Sequence, residues 1–488
     1  MIVYNKYISR ECFFVQIKGM MIMEDKMKID TEGILDKAAA RRLFVAVIIT
    51  SFIGPFAGSG INVAIPALGQ EFGASAGELS WVVFGFLLGS AMFILPTGKL
   101  ADIYGRRRVY TIGLWLFAST FLLGACAISV DMLNVLRFLQ GCVMSLIFGP
   151  GMALLVSSHE ASQRGRVIGY SAASTYSGLS MGPVICGFLC EYLSWRSIFL
   201  VTGLVVLISI YLLKDIKQEW YGDKGASIDK KGSICYLVAA PLWLCGLSKI
   251  TEGSIGLLLL GAGALGLLLF WWIESKAEHP CLDVRLFHGN PVFTFSNLAA
   301  MLHYSSTFAL SFLMSLYLQV IVGYTASMAG MIILLQPVVM AVLSPKAGAL
   351  SDRIQPGLVA SVGMTMTAVG LWGMSFLTGD TPIWIVGLLL MWIGLGFALF
   401  SSPNNNAIMG AVEKKHYGTA SSLLATMRLM GQSTSMAVVT MIIALCQVHS
   451  LTGEDNVQLL GAIQIAFRIF GCISIAAIFM SLVRNKAK

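Results

Sequence analysis

Residues 79–108 read LSWVVFGFLLGSAMFILPTGKLADIYGRRR, twenty residues without a charge followed by ten that carry five. A helix of about 20 apolar residues crosses the ~30 Å hydrocarbon core of a bilayer. So sharp a change from apolar to basic is what a chain does where it leaves lipid for water. Working outward, similar runs fall near 43–68, 109–129, 132–157, 167–190 and 196–213, making a first block of six with 79–100. Two closely spaced runs follow near 232–250 and 254–274. Six more lie near 292–322, 327–344, 357–378, 383–404, 417–447 and 459–482.

Composition agrees with an embedded chain. Of 488 residues 57% are hydrophobic and 12% charged, about half the charge of an ordinary soluble domain. Unpaired backbone amides are too costly in lipid for open sheets, and these runs are too long and unbroken for alternating barrel strands. The expected fold class is therefore an all-α integral membrane protein of about fourteen transmembrane helices. Its expected organisation is a tail over 1–42, a six-helix bundle over 43–213, a linker over 214–231, an inserted helix pair over 232–274, a linker over 275–291, a second six-helix bundle over 292–482 and a tail over 483–488.

The net charge of +8 is not a nucleic-acid signal, because the basic residues sit between apolar runs instead of clustering on one face. Lys and Arg mark the cytoplasmic loops. The segments holding Arg106–Arg108, Arg164 and Arg166, the 214–231 lysines, Lys346 and Arg353, and Lys414 and Lys415 fall on one side by alternation, together with both termini. The opposite loops carry Glu71, Glu78, Asp131, Asp380, Glu454 and Asp455. Both termini are expected in the cytoplasm, with the chain in the cell (plasma) membrane. Residues 1–42 are too polar for a signal-peptide core, and Met20, Met21, Met23 and Met27 leave room for a start further downstream. The ten cysteines have neither disulfide nor metal-ligand spacing. No phosphate loop or metalloprotease motif is present. No cofactor, metal or catalytic group is expected, and transport would draw its energy from gradients.

The loop GKLADIYGRRR over 98–108 has a partial repeat 250 residues later, where Gly348 again precedes Asp352 by four, followed by Arg353. Parallel repeats of this kind build two halves that rock about a central site. The spacing of Gly98, Asp102, Gly105, Arg106 and Arg107 resembles the loop between the second and third helices of the major facilitator superfamily. That resemblance implies a latch favouring one facing state, with Gly98 letting two helices approach and Asp102 meeting helix amides or an arginine of the other bundle.

Further motifs resemble the fourteen-helix drug:proton antiporter branch. Arg137-Phe-Leu-Gln140-Gly141 is similar to a fourth-helix pattern implicated in proton exchange, although an arginine so near a helix start also suits simple snorkelling to the interface. Gly178, Gly182, Pro183 and Gly187 resemble the antiporter motif of exporters, with Cys186 where a second glycine is usual; small residues every four positions would also serve close packing alone. Asn62 lies in a sequence similar to the first-helix signature of that branch, whose aspartate is here Ala57. Ser401 to Ala407 and the Gly418–Gly431 stretch, with Arg428, complete the likeness over roughly 43–482.

With no carboxylate placed near mid-membrane, the interior candidates are Arg137, Arg428, Arg468 and His303. An imidazole near mid-membrane would suit a proton relay, or it packs between helices. Arg428 and Arg468 would neutralise an anionic substrate or bind backbone carbonyls. The inserted pair reads as peripheral packing, with a local ion pair between Lys249 and Glu252. The expected function is secondary transport by alternating access, exporting small amphiphilic drugs or metabolites against protons, by a monomer in the lipid bilayer. The cavity is expected between the first, second, fourth and fifth helices and the ninth, tenth, twelfth and thirteenth. The alternatives are a carrier of anionic or neutral metabolites without proton coupling and, from another class, a receptor or scaffold that transports nothing.

Overall fold

A computed structural model describes residues 37–159, 164–222, 229–250, 253–278, 280–287, 289–412, 417–448 and 455–486. Most of the N-terminal tail, Glu252, Lys414, Lys415 and Glu454 lie outside them, so the proposed Lys249–Glu252 pair does too. Among the described residues there is no strand. The first group of helices is α1 (Lys37–Phe72), α2 (Ala76–Tyr104), α3 (Arg106–Ala125), α4 (Val130–Ser157), α5 (Arg164–Tyr192) and α6 (Arg196–Leu213). The inserted pair is α7 (Lys230–Ser248) and α8 (Ser254–Lys276). The last group is α9 (Pro291–Thr307), α10 (Leu310–Leu316), α11 (Ala326–Ile333), α12 (Leu335–Arg353), α13 (Pro356–Met374), α14 (Ile383–Gly410), α15 (Tyr417–Leu445) and α16 (Asn456–Lys486).

Taking α9 with α10 and α11 with α12 as single rods, the described helices make fourteen rods, thirteen of them long and apolar enough to cross a membrane. The remaining one is α5, whose many Ser, Gly and Tyr residues dilute its hydropathy. The break between α9 and α10 has a local cause. Ser305 donates to the Met301 carbonyl at 2.8 Å, and Ser306 and Thr307 both donate to that of His303 at 2.9 and 2.8 Å. Such back-bonding competes with the helical ladder. The hydroxyl of Ser435 accepts from the Ala309 amide at 3.1 Å, so the interrupted backbone is satisfied from α15.

Helix packing repeats between the two groups. In the first, α1 packs on α5 and α6, α4 on α2 and α3, and α3 on α6; in the last, α9 packs on α15 and α16, α14 on α12 and α13, and α13 on α16. The groups meet through α2 with α15, α5 with α11 and α12, and α1 with α10 and α11. The inserted pair touches both groups, α7 lying against α2 and α15, with the Tyr236 hydroxyl donating to the Ala91 carbonyl at 2.8 Å.

Candidate functional site

Between the two groups lies a cavity of about 100 Å³. Its aromatic walls are Tyr176, Tyr304, Phe308 and Phe397, and its polar groups include Asn62, Gln336, Arg428 and Gln432. No carboxylate and no histidine is among the described residues that line it. Helices α1, α5, α9, α10, α11, α12, α14 and α15 contribute; the expected second and fourth helices do not. Both are held back in their own group, where a Cβ on Gly141 of α4 would stand 2.0 Å from the Phe86 carbonyl of α2.

Among the described residues of the lining Arg428 is the one cation, its guanidinium 5.6 Å from the Tyr304 ring centre and 5.9 Å from that of Phe148. Both distances are within cation–π range. Asn62 donates to the Ser311 hydroxyl at 2.8 Å, while its buried Oδ1 has no partner. The described lining therefore offers one positive charge and the side-chain amides of Asn62, Gln336 and Gln432 among aromatic faces. Tyr176, Tyr304, Gln336 and Gln432 escaped the sequence reading. Gln432 alone left a usable signal, one helical turn from Arg428.

Of the other interior candidates, Arg137 is buried and does not snorkel. Its Nε donates to the Val82 carbonyl at 2.8 Å, its Nη1 donates to Gln140 Oε1 at 3.0 Å, and its guanidinium covers the Phe86 ring at 4.5 Å. Gln140 in turn donates to the Thr120 carbonyl at 3.0 Å, so the pair ties α4 to α2 and α3, away from the cavity. Of the two readings of His303, its surroundings favour packing between helices: its ring lies 4.0 Å from that of Phe400 and 5.1 Å from that of Phe397, and neither ring nitrogen has a polar partner. Arg468, expected inside, is corrected, since it is exposed on the outer face of α16 while its neighbours Ala466 and Phe467 are buried.

In the 98–108 loop, Arg106 Nε donates to Asp102 Oδ1 at 2.8 Å and the same guanidinium donates to Ser157 of α4. The carboxylate of Asp102 is thus engaged inside its own loop, with no arginine of the other group beside it among the described residues. Gly105 is the glycine this turn requires: it has φ +110°, and a Cβ there would meet the Glu219 side chain at 2.5 Å. Gly98, expected to permit helix approach, has no atom within 4 Å of its Cβ position. The linker seals the loop, with the Trp220 carbonyl accepting from Arg106 N at 2.8 Å and Gly222 N donating to the Asp102 carbonyl at 3.1 Å. In the repeated loop Gly348 faces Ser402 of α14, where a Cβ would come within 2.8 Å of Oγ. The side chain of Asp352 lies outside the described residues, and Arg353 is exposed.

The α5 motif forms a seam. Cβ atoms on Gly178 and Gly182 would lie 2.2 Å from the Phe52 carbonyl and 2.3 Å from Ser59 Oγ on α1, and one on Gly187 would lie 2.6 Å from the Ala326 carbonyl on α11. Pro183, beside them, lines the cavity. Cys186 departs from the glycine pattern without opening the seam, because its sulfur fills the space that Gly60 of α1 leaves.

The bonds joining the two groups concentrate in the half remote from the basic loops. Besides Asn62–Ser311, Ser315 donates to the Asn62 carbonyl at 2.6 Å, Gln319 to the Val63 carbonyl at 3.0 Å and Ser327 N to Glu191 at 3.1 Å, while Ser80 and Thr440 share a bond of 3.0 Å. One further bond, Tyr176 to Ser401 at 3.1 Å, crosses at the cavity.

Two repeated helix groups about one aromatic, polar cavity define a membrane transporter. The chain belongs to the Major Facilitator Superfamily, whose profile matches residues 47–436 and 297–487. It is 28% identical over 390 residues to the riboflavin transporter RibZ of Clostridioides difficile (strain 630), covering 79% of this chain and 84% of that one. It is 29% identical over 415 residues to the cephamycin export protein CmcT of Amycolatopsis lactamdurans, covering 82% and 84%. Among solved structures, a bacterial homologue of the human lysosomal transporter Spinster shares the fold with a TM-score of 0.68 at 14% identity, over 93% of this chain and 98% of that one. The chain is therefore a transporter and not an enzyme.

Proposed function

We propose that the protein exports small aromatic amphiphiles bearing no net positive charge, by alternating access and in exchange for protons. The observation that carries this reading is the lining itself: among its described residues Arg428 supplies the one charge, Asn62, Gln336 and Gln432 side-chain amides, and four aromatic rings the walls. A cation in the lining selects against cationic ligands through repulsion. A neutral or anionic ring system with hydrogen-bonding groups would meet Arg428 and the side-chain amides. The names of the relatives, a riboflavin transporter and a cephamycin exporter, agree with that chemistry.

The basic loops support a cytoplasmic position for both termini in the plasma membrane. The bonds at the remote half then make an outer gate, shut in this conformation. The repeated packing supports two functional bundles over 43–213 and 292–482 with the inserted pair between them, working as a monomer. The 98–108 loop with its 348–353 counterpart is the proposed latch, and the α5 seam the proposed hinge for export. Since the described lining has no carboxylate, the proton carrier lies elsewhere in the chain.

Proteoliposomes holding riboflavin as an anion-tolerant aromatic probe, and a rhodamine as a cationic one, test this. An imposed proton gradient should drive riboflavin and not rhodamine, and Arg428→Gln should reduce the discrimination. Equal movement of both dyes, or movement indifferent to the gradient, would overturn the reading.

A further inference from the structure

The inserted helix pair contains a buried polar cluster that the cavity does not use. Asp229 is the N-cap of α7, its Oδ1 accepting from Gly232 N at 2.9 Å. Glu274, near the end of α8, is 0% exposed, and its Oε2 accepts from Leu282 N at 2.9 Å. The second oxygens, Asp229 Oδ2 and Glu274 Oε1, are buried and have no donor. They converge on one point, each 2.3 Å from the position a Cβ on Gly232 would occupy. Gly232 thus keeps open the space in which two carboxyl groups face each other.

Two carboxylate oxygens cannot share a buried contact unless a proton lies between them, because both would otherwise be acceptors carrying like charge. Asp229 Oδ1 already accepts from the Gly232 amide at the helix N-terminus, a bond that needs no proton on that carboxyl group. The proton is then carried by Glu274 Oε1, which donates to Asp229 Oδ2. The groups facing the pair do not substitute for it. From the 280–287 segment comes the thiol of Cys281, which burial pushes up to about 11 and which bonds with Ser233 at 3.2 Å. From α2 comes Lys99, near enough to act on that thiol. Lys230 and Lys231 are exposed, Lys276 lies over Trp272 at 4.1 Å, and Asp283 is taken by Arg285 at 2.9 Å.

We propose that Asp229 and Glu274 bind one proton between them, and that this shared proton holds the foot of the inserted pair against both helix groups. The foot is a real junction: Leu282 and Val284 share a core with Ile94 and Leu95 of α2, Phe293 of α9 and Leu423 of α15. Losing the proton places two like charges side by side and pushes the 280–287 segment away from the start of α7. Protonation is thereby linked to how firmly the inserted pair bridges the groups at the end where the 98–108 loop lies. The proposal does not depend on what the cavity carries.

Infrared difference spectra of the full-length chain in nanodiscs, recorded across a pH titration, test it. The wild type should show a protonated-carboxyl band at neutral pH that Glu274→Gln removes. Wild-type thermal stability should fall as pH rises above the ordinary carboxylate range of ~4.3, because a proton kept in the folded state is lost with rising pH, and Glu274→Gln should abolish that slope. Asp229→Asn keeps Oδ1 as the cap and offers Glu274 an amide donor, so it should also remove the band and serves if Glu274→Gln does not fold. A band unchanged in either variant overturns the proposal. So does a band that appears only after a chelator is added, which would assign the site to a divalent cation.

Discussion

The carboxylate of Glu219 accepts from the backbone amides of Arg107 at 2.7 Å and Arg108 at 3.1 Å, so a residue of the linker after α6 caps the helix that the basic loop begins. The cap is supplied from 112 residues away in sequence, and it places a negative charge where helix α3 exposes its free amides. The 98–108 loop is therefore held by its own group, through a segment that sequence inspection reads as a charged spacer.

Replacing Glu219 with alanine should cost about 1 kcal/mol, the usual value of a lost N-cap, and release residues 214–222 from the loop. Hydrogen exchange is the direct measurement. Amides of Arg106 to Arg108 and of Trp220 to Gly222 should exchange faster in Glu219→Ala, and unchanged protection at both would show that the cap does not hold the linker.

Gly60 and Cys186 predict a reciprocal pair. A methyl at Gly60 would fall 2.2 Å from the Cys186 sulfur, so Gly60→Ala should destabilise by about 1–3 kcal/mol through overpacking. Cys186→Gly should restore the space, and the double variant should recover most of the loss in thermal stability and in transport. The Gly182 carbonyl stands 3.1 Å from the same methyl, which sets a limit on full recovery. Purely additive effects would mean that the sulfur does not determine the fit.

Much of the fold was legible because lipid imposes length and polarity on every span. The runs ending at Leu100 and Leu213 needed no tertiary information, and Arg137 announced itself as a charge in an apolar run. The site was harder to read. Tyr304 and Gln336 reach the cavity only because of how α9 and α12 are rotated, and hydropathy carries no information on rotation when nearly every face is apolar. Ser306 and Thr307 gave no warning of the break they cause. Glu274 ends the apolar run 254–274, but the residue that makes it unusual, Asp229, lies 45 positions earlier. Conversely, His303 and Arg468 attracted attention as polar residues within spans, and their surroundings make one a packing ring and the other an outer-surface charge.

His159, in the loop after α4, gives a prediction in pH. Burial holds its imidazole below the usual range, partly offset by the bond to the Leu155 carbonyl at 2.8 Å. A depressed value means that the folded state prefers the neutral ring. Its contribution is complete above the ordinary value of ~6.5 and is lost as pH falls through the lower folded-state value. Thermal unfolding of the wild type should therefore weaken on the acid side of ~6.5, and His159→Gln should flatten that part of the profile. An identical acid limb in the two proteins would assign the loss to other groups.

Arg137 separates a structural from a functional use of buried charge. Its bonds to Val82 and Gln140, with the bond from Gln140 to the Thr120 carbonyl, fasten three helices, yet its Nη2 is buried without a partner, and no carboxylate neutralises it among the described residues. Were it only a fastener, an apolar side chain of similar length would serve, since buried ions are often replaced by hydrophobic residues at no loss. Arg137→Met should leave one orphan, Gln140 Oε1, at a cost of about 1–3 kcal/mol, and remain inserted and folded. We expect its transport to fall at least tenfold, because an unneutralised cation retained inside a membrane protein has a use beyond packing. Arg137→Lys keeps the charge but not the planar fork that meets a carbonyl and an amide together, so it should lose stability while retaining more transport than Arg137→Met. If Arg137→Met transports at the wild-type rate, the charge has no part in the cycle and the residue is a fastener alone.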